Sequence, residues 1–150
     1  MGNLTDLVDA IPPLVMPDLE DAPFDVTYVF PHVAATETGD YGQGWTEVIE
    51  SPPGFRGQVR AISVYDVTEA FTATTTPAYV YVGISGDTDA FALSASLGTT
   101  AIAAAISPAL THGATRYIQA NTTIHVTGVA PTGGTPAGIA ATAVTIQYFK

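Results

Sequence analysis

The sequence predicts an all-β protein: a β-sandwich of jelly-roll type with about eight strands, preceded by an extended N-terminal arm that holds one short helix. Three observations point there. Apolar residues alternate with polar ones at strand spacing in several short runs, and Gly/Pro/Thr clusters punctuate those runs. Alanine and threonine supply 45 of the 150 residues, whereas Lys occurs once, Arg three times and Leu seven times. Surface helices need long polar side chains, and these are scarce; threonine instead suits the wet face of a pleated strand.

The strand candidates follow in order. Phe24–Phe30 comes first, then a Gly/Asp loop over residues 38–44, then Trp45–Glu50. A Ser51-Pro52-Pro53-Gly54 turn breaks the chain before Val59–Thr68. Ala78, Val80, Val82 and Ile84 alternate with Tyr79 and Tyr81 on the other face, and Phe91, Leu93, Ala95 and Leu97 repeat the pattern. Ile124 and Val126 lie against Thr123, His125 and Thr127, and a last strand sets Val144, Ile146 and Tyr148 against Thr145 and Gln147. Residues 101–106 read equally as a short alanine helix or a strand.

Residues 1–23 differ from the body, 24–150. Leu4, Leu7, Val8 and Ile11 fall at helical spacing with Asp6 and Asp9 on the other side, and Pro12 and Pro13 stop the pattern. Isolated helices shorter than roughly 12–15 residues do not persist in water, so this apolar stripe has to dock on something. Leu14, Val15, Met16 and Leu19 then alternate with prolines, which favours an extended strut. The predicted partner contacts are Leu4, Leu7, Val8, Ile11, Leu14 and Val15.

Charge narrows the function classes. A formal net charge of −10 repels a phosphate backbone, so nucleic acid is not an expected partner. The charge is uneven: residues 1–55 hold ten of the fourteen acids and no Lys or Arg, whereas residues 90–150 hold no acid and carry Arg116 and Lys150. No run approaches the roughly eighteen apolar residues of a membrane span, and acids stand where a signal peptide carries Lys or Arg. With no cysteine, disulfides, thiolate metal sites and a Cys nucleophile are excluded. So few charges also leave strand edges poorly guarded, which predicts that other subunits cover some of them.

Candidate chemistry is sparse. Gly83-Ile84-Ser85-Gly86 departs from the nucleophile elbow by its early second glycine. Asp87 and Asp89 offer two carboxylates to a cation, but the same segment reads first as a hairpin turn, with Gly86 taking positive φ. His32, His112 and His125 lack the close pair a zinc site uses. Glu47, Glu50, Asp66 and Glu69 are candidates for a carboxylate pair only if the fold brings two face to face. Trp45 with Tyr41, Tyr28 and Phe55, or Tyr79 with Tyr81, would suit a sugar platform, although aromatics on strands more often pack. Asp6 fails the N-myristoylation pattern begun by Met1-Gly2. No catalytic, metal or cofactor site is expected.

The stretches Gly57-Gln58-Val59-Arg60-Ala61-Ile62-Ser63-Val64, Thr68-Glu69-Ala70-Phe71, Thr75-Thr76-Pro77-Ala78 and Val80 to Ala92 resemble small virion structural proteins of tailed bacteriophages, the head decoration or cement proteins above all. The likeness covers residues 55–95 and is one of texture. It implies a sandwich or jelly-roll body on the capsid surface, a dimer or trimer, and terminal arms reaching the major capsid protein. The expectation is a non-enzymatic cement protein; the alternative is a receptor- or carbohydrate-binding module of a phage fibre or tail.

Overall fold

A computed structural model describes residues 22–72, 75–112 and 117–150. The expected arm and its six contact residues, Leu4 to Val15, lie outside the described residues. Eight strands make up the regular structure: β1 (Phe24–Phe30), β2 (Trp45–Glu50), β3 (Arg56–Glu69), β4 (Tyr79–Ile84), β5 (Asp87–Ser94), β6 (Leu110–His112), β7 (Thr123–Val129) and β8 (Ile139–Phe149). They form two antiparallel sheets, one of three strands in the order β1-β8-β3 and one of five in the order β2-β7-β4-β5-β6. The arrangement is all-β and sandwich-like, with no helix among the described residues.

The alternation read from the sequence becomes burial. On β8, Val144, Ile146 and Tyr148 face the core; on β7, Ile124 and Val126 do, and on β4, Val80 and Val82. β1 and β2 occupy the expected residues. β3 is longer than expected and irregular. Its register against β8 shifts between Val59 and Ala61, so the extra residue Arg60 re-phases the strand and lets Val59, Ile62 and Val64 all face inward. A second irregularity between Tyr65 and Glu69 includes Asp66 at φ 51, a left-handed position that aspartate tolerates better than most residues.

Three expectations change. On β5 the buried residues are Ala90, Ala92 and Ser94, while Phe91 and Leu93 lie half-buried on the opposite face, Phe91 still packing against the core cluster. Register dictates this: Val82 stands opposite Ala92 and Tyr81 opposite Leu93, and opposed residues share a face. Ser94 is tolerated inside because its hydroxyl accepts from Val80 N at 2.8 Å and donates to Ala95 O at 2.9 Å. Residues 101–106 form neither helix nor strand: a turn with Ala103 at φ 63 precedes a single bridge from Ile106 to Val64. The short β6 pairs with β5, a strand that the alternation does not predict.

Both inner faces share one core. Its aromatic centre is Tyr41, which lies 4.9 Å from Phe71 and 5.7 Å from Trp45, ring to ring, while Phe30 sits 5.8 Å from Trp45. Phe30 ends β1 and Trp45 starts β2, so this cluster pins the first strand of one sheet against the first strand of the other.

Candidate docking surface

The two sides of the body are unlike. On one side the long strands are partly covered: β3 is bridged by Ile106 and Ile118 through paired backbone hydrogen bonds of 2.7–2.9 Å, and β5 is paired by the three-residue β6, which ends that sheet. On the other side β1 pairs only with β8 and β2 only with β7, and their far edges meet no strand or bridge among the described residues. Inward side chains along this second side are incompletely covered. Val26, Tyr28 and Ile49 are half-buried and Phe24 is 38% exposed, whereas their counterparts in the middle strands are fully enclosed.

The two open edges are guarded differently. β2 carries Glu47 on its inward face, where a charge discourages further pairing, and Thr38 Oγ1 donates a hydrogen bond to that carboxylate. β1 has no Lys, Arg, Pro, Gly or bulge, and its register with β8 runs unbroken from Phe24–Tyr148 to Phe30–Thr142. Its single charge, Asp25, points outward near one end, and outward Val29 is 52% exposed. The edge of β1 is the least protected backbone ladder in the described body.

A second surface lies where β1 and β3 begin and β8 ends. Phe24 packs edge-on to Phe55 at 5.1 Å, and Tyr117 edge-on to Phe149 at 5.5 Å. Arg56 stacks 5.2 Å from the Phe149 ring centre and Lys150 5.4 Å from that of Phe55. Two of the chain's four bases thus sit on aromatic faces at the end of the body where β1 begins.

Each chemical candidate from the sequence has a place, and they do not converge. Glu47 and Glu50 lie three positions apart on β2 and therefore on opposite faces; Glu50 accepts from Thr123 Oγ1 at 2.9 and 3.0 Å. Glu69 takes Gly138 N at 3.3 Å, and Asp66 is exposed at the β3 irregularity. His32 Nδ1 contacts Thr38 O at 3.0 Å, His125 sits on β7 opposite Val48 and Gly83, and His112 is on β6. Among the described residues no three acids or histidines gather as metal ligands. Asp87 opens β5 directly after the Ser85-Gly86 turn, with Gly86 at φ 88, so the segment is the hairpin turn expected.

The aromatic candidates divide. Trp45 is 6% exposed and belongs to the core, which removes it from any sugar platform; Tyr41 is fully buried. Their shielding raises the Tyr41 hydroxyl above its ordinary pKa of 10.0, opposed in part by its hydrogen bond with Thr142 Oγ1 at 2.5 Å. Burial likewise raises Tyr148, whose hydroxyl shares a 2.7 Å hydrogen bond with that of Tyr28. Tyr79 and Tyr81 stay half-exposed on the outer face of β4, rings 6.2 Å apart, and partial burial followed by the nearby Asp89 raises Tyr81.

Sequence reasoning missed the open edge of β1, because edge and middle strands carry the same alternation and only the pairing order separates them. It missed the Arg56 and Lys150 stacks for a similar reason: Phe55, Arg56, Phe149 and Lys150 meet only when β3 and β8 pair. No helix among the described residues is long and apolar enough to cross a membrane. Comparison with known proteins gave no match: no family model, curated protein or solved structure aligns with the chain at a significant level.

Proposed function

We propose that this chain is a non-enzymatic virion structural protein that decorates or cements a phage capsid, bridging major capsid subunits with its N-terminal arm and β body as a dimer or trimer on the capsid surface. The observation that carries the reading is the two-sidedness of the body. One side has its long strands partly covered by its own chain, and the other leaves, among the described residues, a long unguarded strand edge at the element into which the arm leads. Such an edge is a liability for a free protein and an asset for a subunit that spends its life against another surface.

The jelly-roll reading of the fold draws support from nested pairing. β1 pairs with β8, β2 with β7 and β4 with β5, and the Ile106 segment between β5 and β6 bridges β3. A long hairpin rolled up on itself produces that nesting, with two Greek keys. The six apolar arm residues remain the proposed shell contacts, on the strength of their spacing and the proline stop. Scattered carboxylates and histidines fit a body selected for shape.

Cosedimentation with phage heads stripped of accessory proteins tests the reading. The full chain rebinds, and Leu7→Asp with Ile11→Asp lowers occupancy by about tenfold or more, the loss of two buried apolar contacts. Undiminished occupancy by that variant rejects the arm's role, and no binding by the unaltered chain to any head rejects the function.

A further inference from the structure

We infer that the open edge of β1 is a strand-addition site for an extended, basic segment of a partner protein: a strand with Lys or Arg among alternating β-branched residues. The inference rests on the docking reading above and deepens it by naming the chemistry of what docks on this face.

Backbone geometry selects the mode. The N–H and C=O groups along Phe24–Phe30 that face away from β8 have no strand or bridge partner among the described residues and form a ready ladder, and an added strand extends the order to a fourth strand beside β1-β8-β3. Its inward side chains would cover Val26, Tyr28 and Ile49, which the body leaves half-buried. β2 is the poorer host, since Glu47 points inward beside its edge.

Charge selects the occupant. Residues 22–55, which supply both open edges, contain Asp25, Glu37, Asp40, Glu47 and Glu50 and no Lys or Arg, and the two bases at the end where β1 begins, Arg56 and Lys150, are stacked on the Phe149 and Phe55 rings. The chain's own arm is a poor fit: it adds Asp6, Asp9, Asp18, Glu20 and Asp21, and Pro12, Pro13 and Pro17 lack the N–H a ladder requires. A second copy would bring the same acidic side to face this one. A basic strand meets the field with opposite charge, one cation beside outward Asp25 and another able to reach the Glu47 carboxylate at the seam.

The test uses the full chain, labelled with nitrogen-15, and a blocked heptapeptide of alternating Val and Lys or Thr. Amide shifts are expected at Phe24–Phe30 and the facing residues of β2. Replacing each Lys of the peptide by Glu should weaken binding about tenfold or more, and Asp25→Asn should weaken the Lys peptide a few-fold, as befits exposed ion pairs. N-methylation of the peptide at alternate positions gives the decisive contrast: one register abolishes binding and the other is tolerated, because only one set of N–H groups faces β1.

Several results overturn the assignment: no shifts with the peptide, shifts centred on the Arg56–Lys150 end or the outer face of β4, or equal tolerance of both N-methyl registers. A free chain that sediments as a dimer with its β1 amides already protected from exchange also overturns it, since a second copy then holds the edge. Failure here is separable from failure of the capsid reading. A chain that takes the peptide at β1 yet binds no stripped head refutes only the latter, and rebinding heads without taking the peptide refutes only the former.

Discussion

The indole of Trp45 lies directly over Gly128, its cross-strand partner on β7: a Cβ placed at Gly128 would stand 2.1 Å from Trp45 Nε1 and 2.4 Å from Cε2. The only α-carbon small enough for that approach is glycine's. In return Trp45 bridges Phe30 and Tyr41 and ties β2 to β1, although Nε1 is left buried without a hydrogen-bond partner among the described residues. Gly128→Ala is therefore expected to destabilise the fold by about 1–3 kcal/mol through overpacking, read as a lower denaturation midpoint, with tryptophan emission shifted to the red as the ring is pushed outward. An unchanged midpoint would mean that the indole has room to move.

Tyr41 and Thr142 offer a cleaner measure of one buried hydrogen bond. Tyr41→Phe strips the Thr142 hydroxyl of its partner and should cost about 1–2 kcal/mol, the desolvation penalty of an unsatisfied group. Adding Thr142→Val removes the orphan and should recover much of the loss. If the double variant is no better than the single one, the hydrogen bond is not what stabilises this contact.

Alkaline pH should unfold the protein for a related reason. Tyr41 and Tyr148 are both fully buried, and their hydroxyls ionise well above the ordinary value of 10.0 in the folded chain. Below pH 10 both states keep the proton and stability does not depend on it. Above pH 10 the unfolded chain releases protons that the folded chain retains, so stability falls by roughly 1.4 kcal/mol per pH unit for each tyrosine. Urea midpoints between pH 8 and pH 11, with absorbance at the tyrosinate band as a second reading, check this; a midpoint flat through pH 11 would contradict it.

Truncation should separate the two parts of the chain. Every buried core residue among the described residues falls from Phe30 to Tyr148, so a chain lacking residues 1–21 is expected to keep the β spectrum and a midpoint within about 1 kcal/mol of the full chain. Loss of the cooperative transition would show that the arm contributes to the core.

Much of the body was legible because burial on a two-sided sheet writes a period of two into the sequence. Phe24–Phe30 and Trp45–Glu50 have the bounds that the alternation predicts, and Ser85-Gly86 is the turn expected between two alternating runs. The failures have a common physical origin in register. Arg60 is one residue too many for β8, and no local pattern marks it as the one that bulges. Phe91 and Leu93 look like core residues until pairing with β4 assigns that face to Ala90 and Ala92. Trp45 reads first as a packed strand aromatic and only second as a platform, and its burial against Gly128 bears out the packing. Poorly guarded edges in general follow from too few lysines, but that β1 would carry one depends on pairing order, which the alternation does not record.

The proposed attachment of many copies of this chain to a shell is decided by quantifying the chain in purified phage particles against the major capsid protein, with antibody labelling to place it. A fixed ratio to the capsid protein and label over the head are expected; a few copies confined to the tail, or none in the particle, would refute the capsid proposal.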